Sequence, residues 1–140
     1  MVNKYLPYKI YYLNTKLVNM LEQNNINSFH IDNDGYRLLA RVSEVAPGTI
    51  KKIIIEEKQW EVAIVNTNGK IYAFRDVCPH KAFPLSIGRV EGCRVVCLAH
   101  TWKFDLENEG KAACPPIRKA LETYPVRVEQ GNIWVKVQFW

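Results

Sequence analysis

CPHKAFPLSIGRVEGCRVVCLAH, residues 78–100, is the stretch that decides what this chain folds around. It opens with Cys78 and His80, two positions apart, and closes with Cys97 and His100, three positions apart, with 16 residues between the two pairs. Side chains two apart lie on the same side of an extended segment, and a tight turn brings side chains three apart together. Each arm can therefore present one thiolate and one imidazole jointly, and two such arms indicate one shared metal site.

Two metal groups suit a set of two cysteines and two histidines. A mononuclear Zn²⁺ accepts these donors as a tetrahedral site. A [2Fe–2S] cluster accepts them with both thiolates on one iron and both imidazoles on the other. The donor set alone leaves both possibilities open. The chain has four cysteines, and the other two, Cys93 and Cys114, fall outside the pattern. We expect them to be free buried thiols, and the alternative is a disulfide between them near the cluster.

The chain from residue 36 onward is typical of an all-β protein. Its 140 residues with 48% apolar character suit one compact domain. Two dipeptides, Asn68-Gly69 and Gln130-Gly131, are hairpin signals between β-rich runs, and the first is typical of a type I′ turn. The β-branched and aromatic runs predict strands at residues 36–42, 49–55, 60–67, 70–76, 124–129 and 132–137.

The β pattern is interrupted by an insertion at about residues 77–118 and preceded by an extension, residues 1–35. The insertion contains all four cysteines and two of the three histidines, so the chemistry is expected there. In the extension, Leu13, Leu17 and Leu21 recur every four residues near a candidate N-cap, Asn14. This spacing predicts one short amphipathic helix that docks on the body. We therefore divide the chain into an extension, 1–35, and a folded domain, 36–140.

Charge and hydropathy exclude several classes of function. The formal net charge is +5, but no Lys/Arg block or basic stripe with interleaved aromatics occurs, so nucleic-acid binding is not expected. The N-terminus lacks the apolar run of a secretory signal, and no segment has the roughly 18 apolar residues of a membrane span. A soluble, cytoplasmic protein with no membrane association is expected.

Three segments resemble the cluster-binding loops and closing hairpin of Rieske-type ferredoxins: CPHKAFPLSIGRVEG, VVCLAHTWKFDLENEGKAACPP and YPVRVEQGNIWVKV. They share the ligand spacing, a Pro-Leu after the first arm, an aromatic-x-Phe-Asp run after the second, and a Pro-Pro loop beyond. The resemblance implies the Rieske fold, an antiparallel β-sandwich or barrel-like base with an inserted cluster-binding subdomain of two loops. It also implies one [2Fe–2S] cluster, with one iron bound by Cys78 and Cys97 and the other by His80 and His100.

The family resemblance also implies which residues surround the cluster. The histidines would lie near the surface, and a loop containing Pro115 and Pro116 would cover the cluster. Residues that flank the histidines in sequence are expected to form an exposed docking tip with apolar and basic character. These residues are Lys81, Phe83, Pro84, Thr101 and Trp102.

The sequence departs from the family pattern at two glycine positions and at two hydroxyl positions. Ala82 and Thr101 stand where the arms more commonly have glycine, so either would be strained if its φ is positive. High-potential Rieske proteins have a Ser two residues and a Tyr four residues after the second histidine. This chain has Trp102 and Phe104 there, which predicts a low reduction potential because fewer donors stabilise the added electron.

The residues favour an electron carrier over an enzyme. A terminal Rieske oxygenase also needs a mononuclear iron on two histidines and a carboxylate, and only His30 is left after the cluster. No Gly-rich nucleotide fingerprint occurs. The resemblance implies the ferredoxin component of a multicomponent oxygenase, taking electrons from a flavin-dependent reductase and passing them to a hydroxylase. The alternatives are the small subunit of a nitrite reductase, against which the retention of all four ligands argues, and a Zn-stabilised structural or binding domain.

Overall fold

The computed structural model describes residues 30–113 and 118–140. The predicted N-terminal helix, Cys114 and the pair Pro115 and Pro116 lie outside the described residues. Within them the chain is all-β, and its helices are four 3-10 turns: Val42–Glu44, Glu56–Lys58, Leu85–Ile87 and Leu106–Asn108. No helix among the described residues is long and apolar enough to cross a bilayer.

Eleven strands form three antiparallel sheets. The first sheet has the order β1-β11-β10, the second β2-β3-β4-β9, and the third β5-β6-β7-β8. The strands are Arg37–Arg41 (β1), Ile50–Ile55 (β2), Trp60–Thr67 (β3), Lys70–Arg75 (β4), Arg89–Glu91 (β5), Arg94–Val96 (β6), Lys103–Asp105 (β7), Lys111–Ala112 (β8), Thr123–Tyr124 (β9), Val126–Glu129 (β10) and Asn132–Val135 (β11).

The second sheet is the middle layer, because its central strand β3 is buried on both faces. Val62 and Ile64 pack in a core with residues of the first sheet. Ala63 and Val65, which point to the opposite face, pack in another core with residues of the third sheet and with Cys78. This double burial explains why β3 is a nearly continuous apolar run instead of an alternating one. The metal-ligand arms are therefore supported on one face of the middle sheet.

The six predicted strand regions are all present, with small differences at their ends. Residues 124–129 are divided between β9 and β10 at Pro125, which cannot donate a ladder hydrogen bond. Both predicted hairpins are confirmed, and Asn68 and Gly69 have φ values of 52° and 77°, as a type I′ turn requires. The insertion was predicted to consist of loops, but it contains the third sheet, β5-β6-β7-β8. Strands of two or three residues are too short to produce a recognisable alternation in sequence.

Candidate metal centre

The first arm is a tight turn that follows strand β4. The amide of Ala82 donates to the carbonyl of Cys78 at 2.9 Å, and the amide of Cys78 donates to the carbonyl of Phe83 at 2.7 Å. These two hydrogen bonds close the chain around His80. The arm is therefore held by its own backbone, and its cysteine lies at the base of the turn while its histidine lies within it.

The second arm, which follows strand β6, repeats this construction. The amide of Thr101 donates to the carbonyl of Cys97 at 2.9 Å, and the amide of Cys97 donates to the carbonyl of Trp102 at 2.9 Å. The same two offsets, four and five residues from the cysteine, occur in both arms. The difference is the position of the histidine, since His100 is three residues after its cysteine and His80 only two.

Both arms have a left-handed residue at the position four after the cysteine. Ala82 has a φ of 50° and Thr101 a φ of 56°. These are the two positions where the sequence departs from the glycine of the family pattern. The left-handed region is unfavourable for residues with a Cβ and most of all for a β-branched residue. Both residues therefore have the positive φ that the sequence analysis named as the condition for strain, and both are strained.

A close backbone approach brings the two arms together. A Cβ placed on Gly88 would lie 2.1 Å from the carbonyl oxygen of Val96, the residue that precedes Cys97. Only glycine allows the end of the first loop to pass this close to β6. The first loop is also fastened to itself. The fully buried carboxylate of Asp76 accepts hydrogen bonds from the amide of Ser86 at 2.7 Å and from its hydroxyl at 2.5 Å.

The two cysteines form a buried pair. Cys78 and Cys97 are each 1% exposed and pack in the same apolar core. Burial raises the pKa of the Cys78 thiol, although the backbone N–H groups of His80 and Lys81 donate toward the sulfur and oppose this rise. A thiolate in this position therefore needs a positive partner beyond the two N–H groups, and a metal ion supplies one.

The two histidines form a second pair nearer the surface. The ring centroids of His80 and His100 are 4.7 Å apart, with His100 exposed and His80 half-buried. Trp102 lies flat on His80 with 3.9 Å between the ring centroids. Burial lowers the pKa of His80, and the neighbouring side chains of His100, Lys81 and Lys119 act in the same direction. A lowered pKa keeps this imidazole neutral, which is the form that binds a metal.

This arrangement of donors fits a two-metal group better than a single ion. The four donors divide into a buried thiol pair and an outer imidazole pair. A [2Fe–2S] group needs this division, with soft thiolates on one iron and neutral imidazoles on the other.

The predicted docking tip is exposed only in part. Lys81, Phe83 and Thr101 are exposed as expected. Pro84 and Trp102 are half-buried, which corrects the prediction for these two residues. The indole is withdrawn because it stacks on His80, a contact between the two arms that sequence adjacency could not indicate.

Two other residues considered in the sequence lie apart from the site. Cys93 is a free, half-buried thiol whose sulfur accepts a hydrogen bond from the Asn68 amide at 3.4 Å. His30 is exposed, and its ring meets the edge of Trp134 in the first sheet with centroids 5.5 Å apart. Neither residue contributes to the metal centre.

Sequence reasoning missed two supports of the site. The first is Asp76, whose side chain fastens the first loop and lies 3.9 Å from Lys52 Nζ on β2. Its position two residues before Cys78 was the available signal. The second is Lys119, whose ammonium group donates to the carbonyl of Pro79 at 3.3 Å. This contact joins residues 40 apart in sequence, and no local motif indicates it.

Comparison with known proteins places this geometry in context. The family model described as Rieske [2Fe-2S] domain matches residues 36–125. A ferredoxin component of naphthalene 1,2-dioxygenase/salicylate 5-hydroxylase systems from Ralstonia sp. is 32% identical over 71% of this chain and 92% of that protein. The solved Sphingomonas yanoikuyae B1 ferredoxin superposes with a TM-score of 0.65 at 26% identity, covering 74% of this chain and 99% of that one. A chain from a complex of reduced oxygenase and oxidized ferredoxin in carbazole 1,9a-dioxygenase gives a TM-score of 0.65 at 26% identity, covering 74% and 94%.

Proposed function

The chain belongs to the Rieske [2Fe-2S] domain family, and from this premise we propose that it is a ferredoxin that carries single electrons to an oxygenase. Its relatives include ferredoxin components of dioxygenase systems. The observation that carries the proposal is the division of the four donors into a buried thiol pair and an outer imidazole pair. In this arrangement one end of the site is accessible to a partner protein.

We propose that Cys78 and Cys97 bind one iron of the cluster and that His80 and His100 bind the other. When bound, the cluster accepts and releases one electron at a time. The chain's own residues hold it, because the two arms present the thiols from the core and the imidazoles from the surface. The stacked indole of Trp102 fixes the orientation of the His80 ring and shields one of its faces from water.

The described residues support a carrier and not a catalytic subunit. A terminal oxygenase needs two more histidines and a carboxylate around a second iron. The third histidine of the chain, His30, is exposed and lies against Trp134 of the first sheet. The electrons would enter from a flavin-dependent reductase, because the sequence contains no nucleotide-binding fingerprint of its own.

The cluster is proposed to have a low reduction potential, about −100 to −200 mV, which straddles the lower limit of about −150 mV for Rieske centres. Trp102 and Phe104 occupy the positions where high-potential members of the family have hydroxyl groups, and Phe104 is fully buried among apolar residues. Fewer hydrogen bonds to the cluster sulfurs leave the reduced state less stabilised.

Metal analysis and EPR spectroscopy test the assignment. Protein from iron-replete cells should contain two iron and two acid-labile sulfide per chain and should give a Rieske-type signal when reduced. His100→Cys should shift the spectrum toward that of an all-thiolate cluster or abolish assembly. His30→Cys, a matched control at the remaining histidine, should leave the signal unchanged. Stoichiometric zinc without iron or a visible band would establish the structural-zinc alternative instead.

A further inference from the structure

The segments that surround the histidine pair carry cations and no carboxylates. Residues 77–88, 97–104 and 118–121 contain no Asp or Glu, although the whole chain has 14. The basic residues in these segments are Lys81, Lys103, Arg118 and Lys119. The net charge of +5 is therefore unevenly distributed, with an excess of positive charge around the metal centre.

Two of these lysines lie close to the histidine end and are not neutralised. Lys119 Nζ is 3.3 Å from the carbonyl oxygen of Pro79, the residue before His80. Lys81 follows His80 directly and is exposed. Neither lysine has an ion-pair partner among the described residues, whereas Lys103 is paired with Glu91 at 2.8 Å.

Asp76 and Glu122, which adjoin two of these segments in sequence, are already paired with other groups. Asp76 is fully buried and accepts both hydrogen bonds from Ser86. Glu122 accepts a hydrogen bond from the indole of Trp140 at 2.9 Å and lies 3.8 Å from Arg75. Neither carboxylate compensates the lysines at the tip.

Each arm also contributes one exposed apolar side chain to this end of the site. Phe83, which closes the first arm, is 42% exposed, and Leu98, in the second arm, is 50% exposed. An exposed apolar centre with a charged rim is the usual anatomy of a protein interface. We name Lys81, Lys119, Phe83 and Leu98 the basic tip.

We propose that the basic tip docks on a partner protein whose electron-transfer site is an apolar patch surrounded by carboxylates. This inference rests on the proposed function, because it takes the histidine end as the point of electron exchange. Positive charges around that end raise the encounter rate with an acidic surface and repel a basic one. The partner is thereby selected by charge before any close contact forms.

Charge-reversal variants with equal net charge test the proposal. Lys81→Glu and Lys119→Glu each lower the net charge from +5 to +3. Lys70→Glu makes the same change at the far end of β4, a strand of six residues. The five steps from Lys70 to Arg75, at about 3.3 Å each, place it about 17 Å from the end of the strand that leads into the first arm. This distance exceeds the screening length of about 10 Å at 0.1 M salt. Any difference between the tip variants and Lys70→Glu is therefore local.

The first measurement is the oxidation of the reduced protein by two small complexes of opposite charge. Hexacyanoferrate(III) should react fast at low salt and more slowly as salt is added, and tris(phenanthroline)cobalt(III) should show the reverse. The ratio of the two rate constants removes changes in driving force that affect both. At 0.1 M salt, where charges about 17 Å apart are largely screened from each other, each tip variant should lower this ratio on the order of three- to tenfold relative to Lys70→Glu. Equal ratios in the three variants, or a wild type that prefers the cationic oxidant at low salt, would overturn the proposal.

The second measurement does not depend on electron transfer. Lys81→Glu and Lys119→Glu should elute from a cation-exchange column at lower salt than Lys70→Glu, although the net charges are equal. Co-elution would contradict an accessible basic tip. Failure of the proposed function has a different signature, the absence of a Rieske signal, and leaves the elution order unchanged. Sedimentation with phosphatidylserine vesicles at 0.15 M salt would identify the tip as a lipid-binding surface and would also overturn the proposal.

Discussion

Replacing Ala82 with glycine should stabilise the folded protein. The backbone of Ala82 has a φ of 50°, and a residue with a Cβ costs about 1–2 kcal/mol in the left-handed region. Glycine removes this cost but gives the unfolded chain more freedom, which lowers the free energy of unfolding by about 0.4–1 kcal/mol. Taken at the middle of both ranges, the net gain is about 0.8 kcal/mol.

The equivalent change in the second arm should have a similar or larger effect. Thr101 has a φ of 56° and is β-branched, which makes the left-handed conformation less favourable than for Ala82. Thr101→Gly also removes a hydrogen bond of 2.7 Å from the hydroxyl to the carbonyl of His100. This bond is exposed, so its loss offsets only part of the gain. We expect a net increase of about 1 kcal/mol in the free energy of unfolding.

The thermal midpoint of the cluster-loaded protein measures both effects. The midpoints of all variants must be compared at one scan rate, because a bound metal group makes unfolding depart from two-state behaviour. A gain of 0.8 kcal/mol corresponds to a rise of about 3 °C for a chain of this size. Gly69→Ala is the reverse control. Its φ is 77°, and no atom lies within 4 Å of the added Cβ, so its midpoint should fall by a similar amount. If Ala82→Gly and Gly69→Ala both lower the midpoint, the left-handed turn at Ala82 stores no strain.

Three further predictions concern groups around the core and the cluster. Phe104→Tyr should restore a donor near the cluster and raise its midpoint potential in voltammetry by about 40 mV, the equivalent of about 1 kcal/mol for one electron; an unchanged potential would show that the hydroxyl does not reach the cluster. Tyr124→Phe should lower the free energy of unfolding in urea by about 1–2 kcal/mol at neutral pH, because the Trp60 indole N–H, which donates to the Tyr124 hydroxyl at 2.9 Å, is left unpaired in the core. Burial raises the pKa of Tyr124, so its neutral form stabilises the fold below the unfolded-state pKa of about 10, and this contribution is lost as the pH rises further. The difference in the free energy of unfolding between wild type and Tyr124→Phe should therefore become smaller above that pH. It would stay constant if burial had no effect on the pKa. Asp76→Asn should weaken both hydrogen bonds from Ser86 and accelerate iron loss to a chelator, with a smaller effect for Ser86→Ala, which keeps the amide bond; equal rates in wild type and both variants would show that Asp76 does not fasten the loop.

The parts of the structure that the sequence could predict are those encoded by local signals. The all-β class follows from β-branched runs and from two-residue turns such as Asn68-Gly69, whose geometry depends only on the residues in the turn. The candidate ligands could also be predicted, because the spacing of Cys and His within each arm is a local signal. The third sheet escaped prediction, because strands as short as Lys111–Ala112 are defined by their partners and not by their own pattern.

The contacts that could not be predicted join segments distant in sequence. Lys119 reaches the carbonyl of Pro79, and the Trp102 indole of the second arm stacks on the His80 ring of the first. The stacking of Trp102 on His80 also depends on the close approach of the two loops, which Gly88 permits. The prediction of an exposed side chain was accordingly correct for Lys81, whose exposure depends only on the turn of its own arm. It was wrong for Trp102, whose exposure depends on its contact with the other arm.

The two arms share one backbone design, and this design explains why their histidines are not equivalent. The residue five positions after each cysteine closes the turn through its carbonyl, and in both arms it is aromatic: Phe83 in the first and Trp102 in the second. Trp102 lies flat on His80, whereas Phe83 is exposed. Since the covering aromatic group comes only from the second arm, His80 is half-buried and His100 is exposed. For a partner docked at this end as we propose, we therefore expect His100 to be the more accessible of the two histidines.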